Sequence, residues 1–110
     1  MNKVTISTLN RMKASNEPID VLTAYDECFS AICDAAGVDV KLVGDSLGMV
    51  VQGHDSTLPV SVDHMVYHTQ MVVRGASGPL VIADMPFMSH GTTDQALHSA
   101  GRLMKEGGAH

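Results

Sequence analysis

Acidic residues follow directly on three short apolar runs of this sequence. Tyr25-Asp26 follows Ile19–Ala24, Asp45-Ser46 follows Val38–Val43 and Gly44, and Asp84 follows Leu80–Ala83. If the runs are parallel strands, these residues stand at the carboxyl ends, where α/β proteins bind ligands. Asp45 and Asp84 then point into one mouth. Two carboxylates suit Mg²⁺, a hard cation that takes oxygen ligands and keeps positions open for substrate. The Ser46 hydroxyl and backbone N–H, between Gly44 and Gly48, could receive the carboxylate of a small acid. An aspartate at such a place also serves to cap a loop or the next helix, and a serine to make a turn. Both uses stay open on spacing alone.

Other chemistries fit less well. Gly44-Asp45-Ser46-Leu47-Gly48 is no phosphate loop, since no Gly-Lys-Ser/Thr follows, and no GxGxxG fingerprint occurs. His64 and His68 lie one helical turn apart, but Met65 stands where zincin chemistry needs a glutamate. Both point off the Val62/Val66/Val73 stripe and read as part-exposed structural histidines. His54-Asp55 falls in a loop and reads as a loop hydrogen bond. His90, His98 and His110 show no pattern. The eight methionines read as core filler.

The elements that must position these residues alternate between strand and helix. Thr5–Lys13 opens as a helix, with Ile6, Leu9 and Met12 at every third place. Asn16-Glu17-Pro18 is a turn, because a proline pushes the residue before it out of the helical region. Ile19–Ala24 is the first strand. Asp26–Ala36 is a helix on Cys28, Phe29, Ile32, Cys33 and Ala36, closed by Gly37. Both cysteines read as buried small hydrophobes rather than a disulfide. Val38–Val43 is the second strand. The fifteen residues Asp45–Pro59 lack periodicity yet hold Leu47, Met49, Val50, Val51 and Leu58, so they read as an ordered loop. Ser61–Arg74 is a helix on Val62, Met65, Val66, Thr69, Val72 and Val73. Leu80–Ala83 is the third strand. Thr92-Thr93-Asp94-Gln95 matches a capping box for a last helix running to about Glu106.

Strand alternating with helix predicts a parallel sheet. Three units use 110 residues, close to the roughly 30 per unit of a (β/α)₈ barrel. Taken alone, three such strands leave an edge unpaired. Val40, Val43, Val81 and Ile82 are expected to lack partners that later units would supply. The formal charge, 7 − 12 = −5, leaves no electrostatic footprint for nucleic acid or for an anionic membrane surface. No apolar run reaches the roughly 18 residues of a membrane span. Met1–Ser7 lacks the apolar stretch of a secretory signal, which makes the cytoplasm the expected compartment. With only two cysteines, a zinc cage is not expected.

Three stretches carry a family resemblance. Leu22–Asp26 (LTAYD), Val43–Val60 (VGDSLGMVVQGHDSTLPV) and Ala83–Phe87 (ADMPF) resemble the ketopantoate hydroxymethyltransferase family, and the likeness extends over essentially the whole chain. The resemblance implies a (β/α)₈ barrel, of which residues 1–110 form the first three β/α units preceded by a short N-terminal helix. It implies a cytoplasmic homo-oligomer, often a decamer, acting in pantothenate and coenzyme A synthesis. The implied reaction moves a hydroxymethyl group from 5,10-methylenetetrahydrofolate to the 2-oxo acid 3-methyl-2-oxobutanoate, through a Mg²⁺-stabilised enolate, giving 2-dehydropantoate. Asp45 and Asp84 match metal-ligand positions, Ser46 a substrate-carboxylate position, and Asp45 and Asp84 also adjoin substrate. The family's third acidic ligand, a substrate lysine and the catalytic glutamate fall beyond His110, so no catalytic residue is expected within this chain. By itself it is expected to be inactive.

Two other readings compete. Another Mg²⁺/enolate barrel, of the phosphoenolpyruvate mutase and isocitrate lyase kind, lacks the eighteen-residue central block. A receiver-like Mg²⁺-binding signalling domain matches in size. Such domains place an acidic pair after strand one, where this chain has only Asp26, and their strand–helix loops are short, unlike Asp45–Pro59.

Overall fold

The structure is a computed structural model that describes residues 3–110. Part of the N-terminal stretch read for a secretory signal, Met1-Asn2, lies outside the described residues. The elements run α1 (Ile6–Ala14), β1 (Val21–Thr23), α2 (Glu27–Ala36), β2 (Val40–Val43), α3 (Leu47–Val50), α4 (Val62–Arg74), β3 (Leu80–Ala83) and α5 (Thr93–Lys105). No helix is long and apolar enough to cross a membrane among the described residues.

Side-chain oxygens start four of the helices. Thr5 and Thr8 satisfy each other's backbone N–H at the head of α1. The Asp26 carboxylate accepts from the Phe29 N–H at 2.8 Å, so Asp26 has the ordinary capping role. Ser61 accepts from the His64 N–H while His64 Nδ1 accepts from the Ser61 N–H, closing a box around α4. Thr92 caps α5 through the Gln95 N–H. The expected return bond from the Gln95 side chain is absent there, so only half of that capping box forms. Gly37 ends α2 at φ 82°, a conformation that a side chain would strain.

The three strands form one parallel sheet in the order β1-β2-β3. Val21 lies opposite Val40, and Val40 opposite Leu80. Alternation puts Lys41, Val43, Val81 and Ala83 on the face that carries α2 and α4. The core gathers there. Ala24, Val43 and Val81 pack with Met65, Val66 and Val72 of α4, Leu103 of α5, and Leu47 and Val60. β1 is the open edge, with Val21 and Leu22 about half exposed. At the other edge, the His110 N–H donates to the Val81 carbonyl at 3.0 Å, so the chain after α5 already lies against β3.

Several expectations need correction. Val40, Val43 and Val81 are buried within this chain, and only Ile82, 41% exposed, lacks cover. α2 turns a different face inward. Ser30 and Cys33 are buried, whereas Phe29 and Ile32 are 62% and 56% exposed. Cys28 is exposed rather than buried. The Asp45–Pro59 segment contains one helical turn, α3, too short for a periodic signal.

No local sequence pattern marks Lys41. It sits in the middle strand, fully buried. A parallel strand covered on both faces normally reads as unbroken apolar residues, and Lys41 breaks Val40–Val43. Its ammonium donates to the Asp34 carboxylate, to Ser30 Oγ at 2.8 Å and to the Gly75 carbonyl at 3.3 Å. The Ser30 hydroxyl in turn donates to the Val72 carbonyl at 2.6 Å. Asp34 also accepts from Ser77, at 2.7 Å from the backbone N–H and 2.6 Å from the hydroxyl. Every polar group in this knot between β2, α2 and the α4–β3 turn therefore has a partner.

Candidate active-site rim

Tyr25, Asp45-Ser46 and Asp84 follow the carboxyl ends of β1, β2 and β3, on one rim of the sheet. The ladder continues into the rim. The Ala24 N–H donates to Leu42 O at 3.1 Å and the Asp84 N–H to Val43 O at 3.0 Å. These bonds hold the segments after the strands in register where chemistry would take place.

Asp84 Oδ2 accepts from the Asp45 backbone N–H at 3.2 Å. Gly44 separates β2 from Asp45, and a methyl group built on it would lie 3.2 Å from Ser46 Oγ and 3.4 Å from Asp84 Oδ2. The bare glycine thus leaves space between the serine hydroxyl and the carboxylate. Ser46 occupies the cap position of α3, yet its side chain makes no capping bond. Its Oγ instead lies 2.7 Å from the Tyr25 hydroxyl. Asp45, Ser46 and Asp84 are all half-buried, reachable by a solute without being fully solvated.

The donor set fits Mg²⁺. That ion is held through one or two protein carboxylates, with water and substrate oxygens filling the remaining positions. Asp45 and Asp84 supply carboxylates of that kind. No cluster of three or more His, Cys, Asp or Glu side chains able to hold a metal ion occurs among the described residues.

His64 and His68 have structural partners. His64 belongs to the α4 capping box. His68 Nδ1 lies 2.7 Å from the Tyr25 carbonyl. Tyr25 itself was legible only as a strand-end residue. Its bond to Ser46 spans 21 residues, and no local pattern encodes it. An apolar hollow of about 340 Å³, lined by Ala24, Tyr25, Phe29, Val50 and Val51 among others, opens beside it.

A family model described as ketopantoate hydroxymethyltransferase matches residues 3–110. The chain belongs to the ketopantoate hydroxymethyltransferase family. Membership displaces the receiver-domain and other enolate-barrel readings. Among its relatives is a 3-methyl-2-oxobutanoate hydroxymethyltransferase of Halorhodospira halophila, 61% identical over 106 residues, covering 96% of this chain and 38% of the relative. The Marinobacter nauticus protein of the same name is 58% identical over 104 residues, 94% of this chain and 39% of the relative. That of Nitrosococcus oceani is 54% identical over 109 residues, 99% of this chain and 41% of the relative. The chain therefore spans about two-fifths of the length of the curated relatives it matches.

Proposed function

We propose that this chain supplies the metal- and carboxylate-binding rim of a 3-methyl-2-oxobutanoate hydroxymethyltransferase. The enzyme would move a hydroxymethyl group from 5,10-methylenetetrahydrofolate to 3-methyl-2-oxobutanoate, yielding 2-dehydropantoate for pantothenate synthesis. One observation carries the reading: in a chain of this family, the Ser46 hydroxyl and the Asp84 carboxylate flank the space left by Gly44 at adjacent strand ends, with the Asp45 N–H bonded to Asp84.

Asp45 and Asp84 would hold Mg²⁺. Bound there, the ion supplies Lewis-acid polarisation of the keto acid, worth several kcal/mol against the developing negative charge. Ser46 donates its hydroxyl proton to the substrate carboxylate and fixes the direction in which the C3–H bond points. The Asp84 carboxylate, tied to the Asp45 N–H, keeps the two strand ends at a constant separation. None of the residues of this chain is assigned as the base that removes the C3 proton, which the remainder of the enzyme would contribute. The three units are the start of a (β/α)₈ barrel in this reading, with residues 1–110 the N-terminal part of one domain. The complete enzyme is a cytoplasmic homo-oligomer, and this chain alone does not catalyse.

The test is proton exchange at C3 of 3-methyl-2-oxobutanoate in D₂O, followed by NMR on a full-length protein containing this chain. Exchange should require Mg²⁺, stop with EDTA and fall sharply in Asp45→Ala and Asp84→Ala. A folded, Mg²⁺-supplied protein that neither exchanges the proton nor forms product with the folate donor would refute the proposal.

A further inference from the structure

A serine hydroxyl has one proton and two lone pairs, so its direction of donation is set by its neighbours. The only hydrogen-bond partner of Ser46 Oγ among the described residues is the Tyr25 hydroxyl at 2.7 Å. A serine that donates to a substrate anion must accept from the tyrosine. The tyrosine must then donate, and its ring must be held so that the proton reaches Ser46.

His68 does that holding. A backbone carbonyl only accepts, so the 2.7 Å contact between His68 Nδ1 and Tyr25 O requires a proton on Nδ1. His68 projects from the middle of α4, the helix that packs on β2 and β3. The Tyr67 ring meets its imidazole edge-on, with centroids 5.5 Å apart. The bond pins the turn between β1 and α2 at the one residue whose side chain reaches Ser46.

We propose that His68 and Tyr25 are positioning residues, arranged so that His68 fixes the Tyr25 backbone and Tyr25 turns the Ser46 proton toward an anionic substrate group. The inference rests on the reading above, in which Ser46 receives the carboxylate of a 2-oxo acid. Neither residue touches the reacting carbon, and both act through Ser46.

The test measures Mg²⁺-dependent C3 exchange against keto acid concentration in the full-length protein. Tyr25→Phe removes the donor while keeping the ring. It should raise the half-saturating concentration roughly five- to tenfold, the worth of one hydrogen bond between neutral groups. The maximal rate should stay within about threefold, because the carboxylate bond is made equally in the ground and transition states. His68→Ala should produce the same split. His68→Asn should restore affinity to within about twofold, since the Asn amide nitrogen lies the same number of bonds from Cβ as Nδ1 and also donates. In a Ser46→Ala background, Tyr25→Phe and His68→Ala should have no further effect. If the unaltered protein exchanges the proton but the losses add to that of Ser46→Ala, or His68→Asn behaves like His68→Ala, the positioning chain is wrong. If the unaltered protein does not exchange it, the functional reading falls and takes this proposal with it.

Discussion

Removing Asp34 should damage the protein more than removing Lys41, although the two form one ion pair. The Lys41 side chain is 0% exposed and that of Asp34 is 12% exposed. Asp34→Ala leaves an ammonium inside the sheet–helix layer with only Ser30 Oγ and the Gly75 carbonyl as acceptors. Stranding a buried charge in this way costs about 3–5 kcal/mol. Lys41→Met keeps the stem volume and removes the charge. The carboxylate left behind still accepts twice from Ser77 and has an edge open to water. The loss should then be about 1–2 kcal/mol, close to that of one charged hydrogen bond. The double variant Asp34→Ala/Lys41→Met should be more stable than Asp34→Ala alone, because no buried charge remains. Urea unfolding of the full-length protein and its three variants, followed by circular dichroism, gives the cycle. A Lys41→Met loss as large as that of Asp34→Ala would refute the argument from burial. So would a double variant whose loss equals the sum.

Thr69→Val should stabilise the protein by about 0.5–1.5 kcal/mol in the same unfolding assay, since Thr69 Oγ1 is buried without a hydrogen-bond partner. Gly75→Ala should destabilise it by about 1–3 kcal/mol through overpacking, because the added methyl would lie 2.5 Å from the Glu27 carbonyl. A neutral result would mean that α2 is less tightly seated than its contacts imply. Acid should also act through Asp34. Burial pushes its carboxyl up, but the Lys41 and Ser77 hydrogen bonds outweigh burial and hold it below the ordinary carboxylate value. That stabilisation is complete above the unfolded value near pH 4 and is lost as pH falls through the lower folded value. Stability measured from pH 6 to pH 2 should therefore fall less steeply in Asp34→Asn. Identical slopes would remove Asp34 from the acid response.

Strand ends were the most legible part of the sequence, for a physical reason. Leu80–Ala83 is closed by Asp84 and Pro86, and the observed β3 has those bounds. The α4 face of Met65, Val66, Thr69 and Val72 was readable because only one apolar stripe exists on that helix. On α2 the same method chose the wrong face. Phe29 and Ile32 dominate its apolar count, but Lys41 requires Ser30 opposite it, and that demand comes from another strand. α3 escaped notice because four residues make a single turn, too few to show a period. At the site, Asp45, Ser46 and Asp84 could be placed from topology alone. Tyr25 and His68 could not, since their bonds join elements 21 and 43 residues apart.

The two cysteines of α2 amount to an internal clock for that helix. Cys28 is exposed and Cys33 is buried, on one short helix and in one chemical environment otherwise. An alkylating reagent reaches the first thiol at once, but reaches the second only while the helix is lifted from its neighbours. The ratio of the two modification rates therefore reads out the fraction of time for which Cys33 is uncovered, independent of reagent strength, and a ratio well above that set by global unfolding marks local detachment of α2. That detachment would also break the contact of Ser30 and Asp34 with Lys41, so the slow thiol keeps time for the ion pair beneath it.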